Sequence, residues 1–252
     1  MDDKIGRIPR TAPAVDAKPE AHIEPGCVYV VATPIGNLSD LSLRARAVLS
    51  GCDLIACENT RKIGRILSYL GIPPRPCVSY HERNESDQAL RLTALAITGK
   101  SIALLSEAGT PTISDPGFRF VRECRRQGVR LYPVPGPSAI LAALAVSGLP
   151  SDGFLFIGFL PPKKSARQRF FREHTALPYT IVCYESKHRI GKFLQDLVAT
   201  LGPDRTIFVG RELTKLHESH HVGAASTVAE EVAAGSPKGE FVVLIAKDGF
   251  RI

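Results

Sequence analysis

Four short apolar runs in the first half of the chain, Cys27–Thr33, Leu54–Cys57, Ile102–Leu105 and Val129–Val134, are separated by stretches of helical periodicity. Continuous apolar runs of this length lack the polar alternation of a half-exposed strand. They fit strands buried on both faces. A weaker strand candidate lies at Cys77–His81. Strands that alternate with helices give a mainly parallel sheet covered by helices, so the chain is predicted to be α/β.

The run Tyr132-Pro-Val-Pro-Gly-Pro137 interrupts this pattern, because three prolines and a glycine in six residues continue neither a helix nor a strand. It is read as a domain boundary, with an N-terminal α/β domain at 26–137 and a C-terminal α/β domain at 138–252. Beyond it, Ser138 is placed to cap an Ala-rich helix running to Val146. Strand-like runs follow at Phe154–Phe159, Thr180–Tyr184, Thr206–Val209 and Phe241–Ala246. Ile190, Phe193, Leu194, Leu197, Val198 and Leu201 fall on one helical face, and Gly202-Pro203 ends that helix. Thr227-Val-Ala-Glu230 has capping-box spacing and predicts another helix start. Residues 1–25 carry no apolar period and are expected to form a disordered tail that packs against nothing.

With 44% hydrophobic residues the chain has ample material for packed cores. No apolar stretch approaches the roughly 20 residues of a membrane span, and no secretory signal pattern opens the sequence, which predicts a cytoplasmic protein. The six cysteines show no C-x-x-C spacing and read as small buried hydrophobes rather than metal ligands. A net charge of +7 fits a polyanionic partner without requiring one.

In an open α/β sheet, ligands bind beyond the C-terminal ends of the strands. The residues at those places are unusual. Thr33-Pro-Ile-Gly-Asn37 follows the first run and Glu58-Asn-Thr-Arg61 the second; His81-Glu-Arg-Asn-Glu85 follows the weaker strand. The longest cluster, Ser106-Glu-Ala-Gly-Thr-Pro-Thr-Ile-Ser-Asp-Pro-Gly117, follows Ile102–Leu105. Any one of these could be an ordinary turn, but four in succession converge on one sheet edge. No G-x-G-x-x-G follows the first strand and no G-x-x-x-x-G-K-[ST] occurs, so nucleotide phosphates are not the expected ligand.

Val31-Ala-Thr-Pro-Ile-Gly-Asn-Leu38, Cys57-Glu-Asn-Thr-Arg61, Ser106-Glu-Ala-Gly-Thr-Pro111 with Ser114-Asp-Pro-Gly117, Tyr184-Glu-Ser-Lys-His-Arg189 and Arg211-Glu-Leu-Thr-Lys215 occur in this order across about Cys27 to Ala246. Together they resemble the ribosomal RNA small subunit methyltransferase I family of the tetrapyrrole methylase superfamily. The resemblance implies two α/β domains with S-adenosylmethionine held in the cleft between them. It implies 2′-O-methylation of a decoding-centre cytidine, position 1402 of 16S ribosomal RNA, on the small (30S) subunit, by a homodimer. Two positions depart from the family pattern. Asn59 stands where an aspartate is usual, and Glu107 stands where a shorter aspartate is usual.

By the same resemblance the cofactor is assigned to Pro34, Ile35, Gly36 and Asn37, to Glu107, Ala108, Gly109, Thr110 and Pro111, to Ser114, Asp115 and Ser138, and to Tyr184 and Glu185. A ribose hydroxyl is a poor nucleophile, so a base or cation near it should help. His81, Glu58 and Glu85 are the candidate bases, with Arg61 as a cation among the catalytic candidates. Arg61, Arg211 and Lys215 are candidates for holding flanking phosphates. The segment Lys163-Lys-Ser-Ala-Arg-Gln-Arg-Phe-Phe-Arg172 places Lys163, Lys164, Arg167, Arg169 and Arg172 beside two aromatics, a composition suited to RNA phosphates and base stacking. No metal is called for. Two other functions fit the sequence: C-methylation of a small tetrapyrrole, and non-catalytic RNA binding or ribosome assembly.

Overall fold

The computed structural model describes residues 22–174, 176–236 and 238–252. Two five-stranded sheets carry the fold, and the chain completes the first before it begins the second. In the first half the strands are β1 (Cys27–Val31), β2 (Leu54–Cys57), β3 (Cys77–Ser79), β4 (Ile102–Leu105) and β5 (Arg130–Val134). The helices between them are α1 (Leu43–Gly51), α2 (Thr60–Tyr69), α3 (Glu85–Ile97) and α4 (Phe118–Arg126). The sheet order is β3-β2-β4-β1-β5, and every pairing is parallel. α1 and α2 pack on one face through Ala45, Val48, Leu49, Ile63 and Leu67, and α3 and α4 cover the other through Leu92, Ala96, Phe120 and Cys124. Burial on both faces is why β4 is apolar at every position. Pro133 is tolerated because β5 is an edge strand paired with β1 alone.

The proline-rich stretch leads into α5 (Ala139–Ser147) and then β6 (Phe154–Phe159), α6 (Lys164–His174), β7 (Thr180–Ser186), α7 (Ile190–Leu201), β8 (Thr206–Arg211), β9 (Ser219–Ala224), α8 (Ala225–Ala234) and β10 (Glu240–Ile245). This sheet runs β6-β7-β10-β8-β9 and is mixed: β6 lies parallel to β7, and the other three pairings are antiparallel. β9, Ser-His-His-Val-Gly-Ala, has no counterpart in the sequence-based prediction. As an edge strand it needs no continuous apolar run. α8 begins at Ala225, so Thr227 and Glu230 lie inside the helix and do not cap it. Ser138 occupies the N-cap position of α5, but its hydroxyl makes no capping hydrogen bond. Among the described residues all six cysteines are free thiols and no helix is long and apolar enough to cross a membrane.

The expected tail is corrected at its C-terminal end; positions 1–21 lie outside the described residues. Ile23 packs against the α1–α2 core. The Glu24 carboxylate accepts hydrogen bonds from Arg130 at 2.7 Å and from the Tyr132 hydroxyl at 2.9 Å, tying this segment to β5. A chain starting at Gly26 is expected to lose about 1–2 kcal/mol, roughly 2–4 °C per kcal/mol in a protein of this size, whereas a chain starting at His22 keeps these contacts. Thermal unfolding of the two truncations checks this, and equal Tm values would show that Ile23 and Glu24 contribute nothing.

Candidate active site

Thr33, just past β1, and Gly109, just past β4, exchange two main-chain hydrogen bonds of 2.8 and 2.9 Å, which ties together two of the clusters picked out in the sequence. The Thr33 hydroxyl adds a bond to the Ser106 carbonyl, and the Ser106 hydroxyl one to the Gly109 carbonyl. Gly109 has φ +82°, a conformation that side chains disfavour. Beyond this brace, Thr112 and Ser114 also take positive φ, at 75° and 61°, so the loop turns back toward the second half of the molecule. Non-glycine residues held this way concentrate at functional sites.

Between the two sheets lies a cleft of about 590 Å³. The first half contributes Ile35, Glu107, Ala108, Gly109, Thr110, Ser114 and Asp115; the second contributes Ser138, Tyr184 and Glu185. Four other residues assigned to the cofactor do not line it. Pro34 and Pro111 are buried beneath the loops. Asn37 accepts the Ser39 amide at 3.0 Å and caps the short 3₁₀ turn Leu38–Asp40. Gly36 lies against the turn 212–215, where a Cβ would collide with the Lys215 side chain. Its role is to let the two halves meet at one side of the cleft.

Several lining residues were not picked out from the sequence. Lys62 projects from the first turn of α2 and pairs with Glu107 at 2.8 Å. Ser186, Lys187 and His188 extend the Tyr184–Glu185 segment, and Glu212 sits inside the Arg211–Lys215 motif. Gly239, Glu240, Phe241 and Val242 open β10, and Gly239 immediately precedes it. The rule about C-terminal strand ends misses them because β10 is antiparallel to β7 and β8, so its first residues reach the edge where those strands finish.

Acidic groups dominate the electrostatics. Burial, then Glu58 and Glu107, push the Asp115 carboxyl up to about 6. Burial and Glu107 likewise raise Glu58 above the ordinary carboxylate range. Tyr184 is pushed up to about 12 by burial and by Asp115. Glu185 is raised by burial although Arg189 lies 3.2 Å away. On the opposite wall, Lys215 reaches Glu212 and Glu240, each at 2.8 Å. Burial works against that ammonium, but the two carboxylates win and raise its pKa.

None of the four groups expected to assist a hydroxyl lines the cleft. Glu85 is corrected to a structural role. It accepts hydrogen bonds from the Tyr80 hydroxyl and the Gly117 and Arg119 amides at 3.0–3.2 Å, anchoring the end of the 106–117 loop. Burial opposes its charge, yet these donors hold its carboxyl below the usual range, which suits an anchor and not a base. His81 is half-buried, with Nδ1 enclosed and without a partner. Arg61 is exposed on the first turn of α2. Asn59 accepts the Lys62 amide at 3.0 Å as the N-cap of α2, so position 59 supports a helix, a task asparagine performs as well as aspartate.

The basic segment is corrected at Arg167. Arg167 is 3% exposed, and its guanidinium grips the buried Asp196 of α7 and the carbonyls of Pro161 and Pro162. Phe171 is a core residue, and Phe170 stacks on His174, so these rings are committed within the protein. Lys163, Lys164, Arg169 and Arg172 are exposed, with Arg169 3.8 Å from Glu173. Arg211 spends two donors on the carbonyls of Lys238 and His217, fixing the turn beside the cleft.

Residues 27–229 match the family described as Tetrapyrrole (Corrin/Porphyrin) Methylases. A ribosomal RNA small subunit methyltransferase I of Xylella fastidiosa (strain Temecula1) is 47% identical over 88% of this chain and 81% of its own length. One from Escherichia coli O157:H7 is 44% identical over 88% and 73%. A solved diphthine synthase superposes with a TM-score of 0.67 at 15% identity, covering 87% of this chain and 90% of its own. A uroporphyrin-III C-methyl transferase from Thermus thermophilus complexed with S-adenyl homocysteine gives 0.58 at 20%, covering 86% and 96%, a likeness of fold. Extended sequence identity and shared architecture agree: this chain belongs to the ribosomal RNA small subunit methyltransferase I family of the tetrapyrrole methylases.

Proposed function

We propose that the protein transfers a methyl group from S-adenosylmethionine to the ribose 2′-hydroxyl of a cytidine in small-subunit ribosomal RNA, position 1402 of the 16S molecule. The observation that carries this reading is identity of 43–47% over most of the chain to relatives that all bear the name ribosomal RNA small subunit methyltransferase I. The same reading makes the small subunit the partner, a second copy of the chain the other half of a homodimer, the cytoplasm the place of work, and 26–137 and 138–252 the two domains.

The cleft suits the donor by its charge. S-adenosylmethionine carries a net positive charge, and Glu107, Asp115, Glu185, Glu212 and Glu240 line the space against Lys62, Lys187 and Lys215. When bound, it supplies an electrophilic methyl carbon on a sulfonium. Asp115 and Glu107 favour that cation, the bare Gly109 backbone lets a ligand approach closely, and Ser114 and Ser138 offer hydroxyls. Transfer of this kind needs alignment and exclusion of water more than acid–base power, which a cleft closed from two sides provides. Glu58 lies outside the cleft lining, and its part is electrostatic: its charge adds to that of Glu107 and raises the Asp115 carboxyl.

Asp115 gives this reading a pH signature. Affinity for S-adenosylmethionine is expected to rise with pH through about 6, as the carboxyl loses its proton and attracts the cation. S-adenosylhomocysteine, which lacks the sulfonium charge, should respond much less. Asp115→Asn should flatten the profile and weaken the donor several-fold at neutral pH. In the unliganded protein the sign is opposite. The folded pKa is raised, so the stability Asp115 contributes below its ordinary pKa is lost as pH rises through about 6, and the Asn variant should melt higher at neutral pH. Calorimetric titration of both ligands between about pH 5 and about pH 7 checks this, and a parent profile retained by Asp115→Asn would remove Asp115 from the donor site.

The function itself is tested by incubating the protein with methyl-labelled S-adenosylmethionine and, in parallel, unmodified small subunits or a tetrapyrrole, then mapping the label. A single 2′-O-methylcytidine at the expected position is the anticipated result. Label in a tetrapyrrole, or in no acceptor, would replace this reading with one of the alternatives.

A further inference from the structure

α1 and α2 lie on the same face of the first sheet and together contain five cations, Arg44, Arg46, Arg61, Lys62 and Arg65, and no acidic residue. All five are exposed. Among the described residues only Lys62 has an ion-pair partner, Glu107 at the cleft. The two helices adjoin: the Arg46 guanidinium reaches Gly71 just past the end of α2, within 3.7 Å of where a Cβ would stand.

Helix stability does not account for this arrangement. Four of the cations occupy first turns, where the helix dipole disfavours positive charge and acidic residues are the stabilising choice. Other basic stretches of the molecule are balanced in part, although Arg122, Arg125, Lys163 and Arg172 have no ion-pair partner among the described residues. On α6, Lys164 and Arg167 face Asp196, and Arg169 faces Glu173. On the opposite face of the first sheet, Arg119 and Arg126 are held by Glu85 and Glu123. The α1–α2 face combines four arginines that have no ion-pair partner among the described residues with continuity into the cleft, through Lys62.

We infer that this face, and not the basic helix α6, carries the phosphate backbone of the substrate RNA as its target nucleotide enters the cleft past Lys62. The inference rests on the reading of the protein as an RNA methyltransferase and specifies where that RNA lies. Clustered, unpaired arginines suit phosphate oxygens, and each neutralised phosphate releases counterions.

The test uses the full chain, a labelled RNA hairpin for binding and unmodified small subunits for methylation. Arg46→Glu/Arg65→Glu is expected to lower hairpin affinity at least tenfold and to flatten the dependence of log affinity on log salt by about one to two units. S-adenosylmethionine affinity should be unchanged, because neither residue lines the cleft. Gly64 provides a second variant that removes no contact. It lies between Lys62 and Arg65, and apart from its chain neighbours and the backbone of its own helix no atom stands within 4 Å of the position of its Cβ. Gly64→Glu places an anion in the track at a position where a helix gains from losing glycine. It should weaken hairpin binding several-fold, whereas Gly64→Gln binds as the parent does. Lys164→Ala/Arg169→Ala on α6 should leave affinity and salt slope intact. If the charge-reversed variants bind and methylate like a competent parent, this face is not the RNA track; a parent that neither binds RNA nor methylates subunits overturns the underlying reading as well.

Discussion

Gly109→Val is expected to yield a folded protein whose affinity for S-adenosylmethionine is lower by roughly 30- to 150-fold, the equivalent of about 2–3 kcal/mol. The cause is backbone conformation, not lack of space. A Cβ at this position would meet Ile35 at 3.5 Å and the Pro137 carbonyl at 3.9 Å, both ordinary contacts. The φ of +82° is what a β-branched residue cannot adopt without strain. Relief requires turning the peptide, which breaks the two-bond brace to Thr33 and moves Glu107, Ala108 and Thr110 from the cleft wall. Gly109→Ala suffers the same strain more mildly and should lose about 3- to 10-fold. Calorimetry on both variants, with circular dichroism to establish folding, gives the measurement. A folded valine variant of parental affinity would show that this loop does not shape the donor site.

Legibility from sequence followed the physics of each element. Leu54–Cys57 and Ile102–Leu105, inside the first sheet, and Phe154–Phe159, an edge strand of the second, could be bounded to the residue because continuous apolar runs stand out from their polar surroundings. β9 offered two histidines and a serine, and its identity as a strand comes from its ladder to β8, a non-local fact. The loops after β1 and β4 were found because parallel strands present their C-terminal ends to ligands, whereas Gly239–Val242 enters through an antiparallel strand that the rule ignores. Glu85 was the right residue type in a telling place, but its donors, Gly117 and Arg119, lie more than thirty positions away. The basic run misled at Arg167. One local signal bore on it: Asp196 falls among Phe193, Leu194 and Leu197 on the apolar stripe of α7, and a buried acid there requires a cation from elsewhere.

That cation defines the other large effect. Arg167→Ala should lower the unfolding free energy by about 3–5 kcal/mol, because it strands a carboxylate that is 5% exposed, removes the donor to the Pro162 carbonyl and leaves the Pro161 carbonyl only its bond from Arg189. At about 2–4 °C per kcal/mol this is a fall of roughly 6–20 °C in Tm. Lys164, whose ammonium lies 3.9 Å from the other Asp196 oxygen, can compensate only in part, as a single point charge that cannot fork between carboxylate and carbonyls. Arg167→Lys should therefore remain clearly destabilised. Arg167→Met combined with Asp196→Leu should recover most of the loss, since a buried pair replaced by apolar side chains of similar size costs little. Per folded molecule, RNA affinity and salt slope should match the parent in every one of these variants. Thermal unfolding separates the two roles open to this arginine: a stable Arg167→Ala protein with weakened RNA binding would return it to the interface, and an unstable one with intact binding fixes it as the clasp between α6 and α7.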